Sequence, residues 1–258
     1  MGRRRKQNSI ASIRRKQAEG RGQGSLSSYK PAIYTYEIAS RGKVARIKGA
    51  TTNRVHHLLS QHEKYFLITL DYDPAVTDIR EQYPLPLEDT LLIAAETGIR
   101  HPYADQCPAV MTTDFFYCRD GKWNAAAIKT SDDLNNKRTL DKLEIEKLYW
   151  ERKRVPWELV TEKDISRCKA SNLLWLHSGE PIEKLIPDPG FLQDLTEAFL
   201  EIYHDSTVPF SEAIETIESY CGLMPGTILQ LFKHLIRKQL IPIDLSKPIN
   251  LVEPRSQF

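Results

Sequence analysis

The chain reads AVMTTDFFYC over residues 109–118 and WNAAAIKT over residues 123–130. Each stretch has the length and the apolar content of a buried β-strand. Asp120-Gly121 lies between them and suits the tight turn of a hairpin. The sequence therefore predicts a β-hairpin here, and the neighbouring segments are placed around it.

The segments on either side predict further strands and helices. Val76–Pro84 predicts a strand, and Glu88–Thr97 predicts a short helix. Thr139–Arg154 predicts a long helix, Trp157–Val160 a short buried strand, and Thr161–Asp164 the capped start of another helix. This order of strands and helices predicts an α/β fold built on a mixed sheet with flanking helices.

The chain before residue 76 gives weaker signals. Residues 31–50 alternate in hydropathy and predict an irregular β segment. A helix is predicted from about residue 55 to 70, because apolar residues there recur at helical spacing: Val55, Leu58, Leu59, Phe66 and Leu70. Asp73-Pro74 is expected to end it.

Composition divides the chain into four regions. Residues 1–28 predict a basic flexible arm, because residues 1–21 hold eight Lys and Arg against one acid. Residues 29–178 form the predicted α/β domain, and the turn-rich residues 179–190 predict a linker. Residues 191–258 form a predicted C-terminal domain. The basic arm suits binding to a polyanion, and a solvated tail is the alternative.

Three helical patterns fill the C-terminal region, at about 190–203, 211–221 and 226–239. Leu240–Leu245 and Ile249–Val252 follow and could pair as a small hairpin. Helix, turn, helix and two strands is the order of a winged helix. The alternative is a small helical cap without DNA contact.

Several classes of protein are excluded or disfavoured. The chain of 258 residues has no apolar run long enough to span a membrane, and its N-terminus has no secretory signal. The four cysteines include no C-x-x-C pair, which disfavours a structural zinc site. A cytoplasmic protein with reduced thiols is expected.

Three residues stand out as candidates for chemistry. Glu63 interrupts the apolar side of the helix predicted over residues 55–70, and Asp114 lies in mid-strand on a face with Phe116. Lys129 ends the next strand and can point to the same side as Asp114. Each has an ordinary alternative: an exposed helix edge for Glu63, a loop-capping carboxylate for Asp114 and a solvent-facing lysine for Lys129.

Taken together, the three residues suit one site. Two carboxylates can bind Mg²⁺ through oxygen ligands, with water completing the shell. The ion would polarise a scissile phosphate and lower the pKa of an attacking water, and the lysine would orient that water or neutralise charge. The spacing is that of restriction-like nucleases, although the pattern is loose.

Five segments resemble, in chain order, the TnsA endonuclease subunit of Tn-seven-like heteromeric transposases. The resemblance covers about residues 17–176, and the segments are EGRGQG at 19–24, RVHHLLS at 54–60, DIREQYPL at 78–85, MTTDF at 111–115 and RTLDKLE at 138–144. The C-terminal part resembles the family chiefly in its arrangement.

The resemblance implies a restriction-endonuclease-like domain followed by a winged-helix-like domain. It implies an Mg²⁺-dependent DNA endonuclease (Mn²⁺ substituting) that cuts the 5′ ends of a transposon during cut-and-paste transposition in bacteria. It further implies a TnsB-like transposase, a TnsC-like AAA+ regulator and transposon-end DNA as partners, and association with the nucleoid in the complex. Residue by residue, the catalytic roles fall on Glu63, Asp114 and Lys129, and the metal ligands on Glu63, Asp114 and the carbonyl of Ile128.

The sequence departs from the family at two positions beside the lysine. Relatives often have Gln two residues before it and Pro after it, where this chain has Ala127 and Thr130. A polar metal or water contact is therefore lost at residue 127. This leaves open a catalytically weak DNA-binding scaffold subunit, and a stand-alone restriction-type endonuclease is the third hypothesis.

Other polar residues are weaker candidates. Gln82 is a candidate for facing the site, and His56 and His57 for touching phosphate, with structural roles as the alternatives. A phosphate-binding stretch is the hypothesis for five basic residues, against a merely charged surface: Arg21, Arg41, Lys43, Arg46 and Lys48.

Overall fold

The computed structural model describes residues 10–37, 44–104, 106–205 and 209–251. The chain divides into two compact units, Met1–Ile165 and Ser166–Phe258. No helix within the described ranges combines the length and hydropathy needed to cross a bilayer.

The first unit is built on a four-stranded mixed sheet. The strands are β3 (Val76–Pro84), β6 (Thr112–Arg119), β7 (Lys122–Ile128) and β8 (Trp157–Val160), in that spatial order. β3, β6 and β7 pair antiparallel, and β8 runs parallel to β7. Two short hairpins stand outside this sheet: β1 (Ala45–Lys48) with β2 (Val55–Leu58), and β4 (Tyr103–Ala104) with β5 (Cys107–Pro108). The predicted mixed sheet is confirmed.

Helices cover both faces of the sheet. On one face α3 (Leu87–Thr97) and α4 (Lys137–Arg152) bury a core with Phe116 and Ala125 of the sheet. On the other, α2 (Gln61–Tyr72) sets Phe66 against Phe115, with ring centroids 5.2 Å apart. Consecutive residues of β6 thus belong to different layers, as strand geometry requires.

The predicted hairpin forms with a two-residue turn. Asp120 and Gly121 both have positive φ, at 50° and 71°, as a type I′ turn requires. The turn sets the register of β6 and β7, in which Phe116 faces Ala125. Because facing residues share a side of the sheet, Asp114 and Lys129 fall on the side of Phe116.

Three predictions for residues 1–165 were wrong. Residues 10–18 of the predicted flexible arm form a helix, α1 (Ile10–Ala18), while residues 1–9 lie outside the described residues. The predicted helix over residues 55–70 is two elements, β2 and α2. Thr161–Asp164 forms a turn closed by the Asp164 carboxylate, and the next helix, α5 (Arg167–His177), is capped by Ser166 instead.

The second unit is helical. It contains α5, α6 (Ile182–Leu185), α7 (Pro189–Asp205), α8 (Phe210–Tyr220) and α9 (Thr227–Arg237). Its core is aromatic, with Phe199, Phe210 and Phe232 fully buried. The Glu218 carboxylate accepts hydrogen bonds from the amides of Gly226 and Ile228, which fixes the turn between α8 and α9.

The domain boundaries differ from the predicted ones. α5 groups with the second unit, because the Asn172 side chain donates to the carbonyl oxygen of Leu245 at 2.9 Å. The predicted linker, residues 179–190, contains α6, and Ile182 is 1% exposed.

The wing of the predicted winged helix is not observed. Residues 240–251 form no strand, and Val252 lies outside the described residues. Pro242 and Pro248 lack the amide hydrogens that a strand ladder needs. Ile241 and Leu245 are buried from an irregular chain instead. The unit is a helical bundle in its described part.

A buried ion pair fastens the N-terminal elements to β3. Arg54, just before β2, donates to both carboxylate oxygens of Glu81 on β3 and to the carbonyl of Ile79. His56 Nδ1 lies 2.7 Å from the same carboxylate, and Tyr29 donates to the Glu81 carbonyl. Burial alone raises the pKa of Glu81, but the hydrogen bonds from His56 and Arg54 outweigh it and hold the pKa at about 2.

Glu81→Gln is expected to lower the free energy of unfolding by about 3 kcal/mol at neutral pH, because it leaves Arg54 buried without its counter-charge. The folded pKa of about 2 lies below the ordinary value of 4.5, so this stability is present above pH 4.5 and is lost as pH falls towards 2. Urea unfolding measures the difference across that range.

Glu96→Gln is the matched control, because Glu96 forms an exposed ion pair with Arg152. This substitution is expected to lower the free energy of unfolding by less than about 1 kcal/mol. Equal losses for the two variants would contradict the structural role assigned to Glu81.

Candidate active site

Asp114 is the hub of a polar cluster at one end of the β6–β7 hairpin. Its Oδ2 accepts a hydrogen bond from the Ile128 amide at 2.7 Å and from the Lys129 ammonium at 2.6 Å. The same ammonium donates to the Ile128 carbonyl at 2.9 Å. The register of the hairpin thus brings together the aspartate, the lysine and the carbonyl that the sequence singled out.

Glu63 reaches this cluster from the first turn of α2. Ser60 caps the helix by accepting from the Glu63 amide, and Glu63 Oε2 in turn accepts from the Leu59 amide at 2.9 Å. Capping accounts for a glutamate at this position. It does not account for burial, and Glu63 is only 5% exposed.

Gln82 links Glu63 to the sheet. It falls opposite Asp114 in the register set by Glu81↔Phe115 and Tyr83↔Thr113. Its φ is 48°, in the left-handed region that residues other than glycine rarely adopt. The side chain is 2% exposed, donates to Glu63 Oε2 at 3.3 Å and accepts from Thr112. The structure therefore places Gln82 in the site.

Glu146 is a residue that the sequence reasoning missed. It lies on α4, is 5% exposed, and accepts a hydrogen bond from the Trp157 indole at 3.2 Å. Its spacing from Leu143 and Trp150 indicates the buried side of the helix, where a carboxylate is unusual. That spacing was the available signal.

Like charges and burial act on the two glutamates together. Burial, and then the nearby Asp114 carboxylate, raise the pKa of Glu63 to about 7. The same two causes, in the same order, raise the pKa of Glu146 to about 7. Burial alone lowers the pKa of Lys129, but the Asp114 carboxylate outweighs it and raises that pKa above its ordinary value. The cluster holds more acid than its one ammonium neutralises.

The donor atoms of the cluster suit a hard cation. No three His, Cys, Asp or Glu side chains in the described part of the chain converge as a ready metal site. Glu63 and Asp114 with the Ile128 carbonyl nevertheless supply oxygen donors of the kind that Mg²⁺ takes, with water completing the shell. Lys129 holds Asp114 Oδ2 and the Ile128 carbonyl, so its ammonium would have to move aside for an ion. Ala127 is fully buried and adds no donor.

The other predicted contacts are only partly brought near the cluster. His56 is fully buried between Glu81 and Thr52, so the hypothesis that it touches phosphate was wrong. Arg21 was also wrong as a phosphate ligand, because it is paired with Glu37 and Glu19. His57 is half-buried, Arg46 and Lys48 are exposed on β1, and Arg41 and Lys43 lie outside the described residues.

Carboxylates and a lysine gathered at one end of a mixed sheet are the groups with which a nuclease hydrolyses a phosphodiester. The comparisons identify the family. The protein-family model described as "TnsA-like endonuclease N terminal" matches residues 73–162. A second family model, described as "TnsA endonuclease C terminal", matches residues 164–245.

A relative from Escherichia coli, "Transposon Tn7 transposition protein TnsA", is 41% identical to this chain, and the aligned region covers 94% of this chain and 94% of the relative. The chain belongs to the TnsA endonuclease family.

The raised pKa of Glu63 makes stability depend on pH. Because the folded pKa of about 7 lies above the ordinary value of 4.5, protonation favours the folded state, and stability falls as pH rises between these values. Without divalent ions, the free energy of unfolding is expected to fall between pH 5 and 8 by roughly 2 kcal/mol less in Glu63→Gln than in the unsubstituted protein. Urea unfolding in a chelator measures this, and parallel pH profiles would contradict it.

Proposed function

We propose that this chain is the Mg²⁺-dependent endonuclease that cuts the 5′ ends of a transposon during cut-and-paste DNA transposition. A TnsB-like transposase would act on the 3′ ends, and a TnsC-like AAA+ regulator would control the assembly in the bacterial cytoplasm. Mn²⁺ would substitute for Mg²⁺. Family membership and the printed name of the relative support the setting. The observation that carries the chemistry is the contact of Asp114 with both Ile128 and Lys129.

The residues of the cluster divide the work. Glu63, Asp114 and the Ile128 carbonyl would hold the divalent cation. When bound, the cation would supply positive charge against the scissile phosphate and lower the pKa of the attacking water. Lys129, released from Asp114, would place its ammonium against the phosphate or the water. Gln82 would keep the Glu63 carboxylate in position through its amide.

The two units would carry different tasks. The first unit, with its mixed sheet, is proposed to be restriction-endonuclease-like and to hold the catalytic residues. The second, helical unit is proposed to make the contacts with the regulator and with DNA. A catalytically weak scaffold subunit remains the second candidate function, and Ala127 favours it, because the residue offers no side-chain donor beside Lys129.

Asp114→Ala separates nuclease from scaffold. It is expected to lower 5′-strand cleavage at least about a hundredfold and to leave 3′-strand cutting by the cognate transposase intact. The assay uses transposon-end DNA, the partner proteins and Mg²⁺, with the two strands labelled separately.

Asp132→Ala is the matched control, because Asp132 is exposed in the loop after β7. It should cut like the unsubstituted protein. If Asp114→Ala also cuts both strands normally, the proposed site is wrong. If neither it nor the unsubstituted protein cuts the 5′ strand, the scaffold function is favoured.

Lys129→Met tests whether binding of the ion and catalysis are separate. Removing the ammonium frees Asp114 Oδ2, so Mn²⁺ binding is expected to be at least as tight as in the unsubstituted protein. Cleavage should fall by about 10² or more, because the charge beside the phosphate is lost. Mn²⁺ titration followed by electron paramagnetic resonance measures binding. Weaker Mn²⁺ binding in Lys129→Met would contradict these roles.

A further inference from the structure

A group of rings lies on the first unit outside the cleavage cluster. Tyr34, Tyr36 and His57 form it, and we call it the aromatic platform. Tyr34 and Tyr36 stack with centroids 5.2 Å apart and an interplanar angle of 17°. His57 meets Tyr34 edge-on at 4.7 Å. Tyr36 is nevertheless 73% exposed, so much of this large ring remains open to solvent.

Hydrogen bonds and a cation–ring contact fix the platform to neighbouring residues. The Glu37 carboxylate accepts from the Tyr34 amide at 2.9 Å and from Arg21 at 2.8 Å. The Arg21 guanidinium in turn lies 4.1 Å from the centroid of the Tyr34 ring. Thr35 Oγ1 lies 3.1 Å from His57 Nδ1, which joins the turn to β2. An exposed ring that is already ordered binds a flat partner at little entropic cost.

Two exposed cations border the platform. Arg46 faces His57 across the β1–β2 ladder, and Lys48 faces Val55 two residues further along. Both point to the same side of this hairpin, because strand residues alternate. Neither forms an ion pair with a residue that the structure describes. The first unit therefore offers one open ring beside two cations that are not paired with any acid among the described residues.

The platform lies close along the chain to the proposed metal ligand. His57 precedes Leu59 by two residues, and the Leu59 amide donates to Glu63 Oε2. Two extended residues span roughly 7 Å, about the rise of two nucleotides of one DNA strand. A strand whose phosphate lies at Glu63 can therefore reach the platform within a few nucleotides.

We propose that the aromatic platform binds an unpaired base of the cleaved DNA strand near the scissile phosphate, and this inference rests on the proposed function. The base stacks on Tyr36, and Arg46 and Lys48 contact the adjoining phosphates. A base inside a duplex has both faces covered by its neighbours, so the base that stacks on Tyr36 is out of the helix. Open rings beside cations are the means by which proteins bind single strands without reading sequence.

The test is binding of a fluorescein-labelled single-stranded oligonucleotide of the transposon end to the full chain, without divalent ions, followed by anisotropy. Tyr36→Ala is expected to weaken binding about tenfold, and Tyr36→Phe less than about twofold, because stacking needs the ring and not the hydroxyl. Arg46→Ala is expected to reduce the dependence of binding on salt by about one counterion, whereas Tyr36→Ala leaves that dependence unchanged.

Tyr103→Ala is the matched control, because Tyr103 is a tyrosine of β4 in the first unit that is 56% exposed and does not belong to the platform. It should bind like the unsubstituted chain. The inference is overturned if the unsubstituted chain does not bind the oligonucleotide, if Tyr36→Ala binds normally, or if Tyr36→Phe loses as much as Tyr36→Ala. Since this assay needs no cleavage, its failure is distinct from failure of the Asp114→Ala test, which concerns the proposed function alone.

Discussion

The contact of the Asp114 carboxylate with the Ile128 amide and the Lys129 ammonium depends on one constraint, the register of the β6–β7 hairpin. The turn at Asp120-Gly121 fixes that register. A slip of one residue would turn Lys129 to the opposite face from Asp114 and would expose Phe116 or its partner. The same alternation that buries the core against α4 therefore also assembles the candidate site, and the packing of Phe116 with Ala125 holds the proposed catalytic groups in place.

Two buried glutamates have opposite electrostatic surroundings. Glu81 is surrounded by donors from Arg54 and His56, and its pKa is about 2. Glu63 is buried as deeply but lies beside the Asp114 carboxylate, and its pKa is about 7. A carboxylate left short of positive charge costs stability. It also leaves a place where a cation is favoured, which is why the second arrangement suits a catalytic role.

Most of the sheet could be predicted from the sequence, because its strands are apolar and separated by strong turn signals. Trp157–Val160 was predicted to the residue. Val55–Leu58 was taken for helix, since four residues of a strand also satisfy helical spacing. The predicted wing was wrong because Pro242 and Pro248 lack the amide hydrogens that strand pairing needs. Gln82 owes its place to a positive φ, which local sequence does not reveal, and Glu146 depends on how α4 packs over Asp114.

The central claim is that Glu63 and Asp114 hold one divalent ion between them, and a double-mutant cycle on Mn²⁺ binding tests it most directly. Calorimetric titration of the unsubstituted chain, Glu63→Gln, Asp114→Asn and the double variant gives the four affinities. If the two carboxylates share an ion, each single variant loses most of the binding and the double variant loses little more. Losses that simply add, or Mn²⁺ binding that survives in the double variant, would contradict the claim.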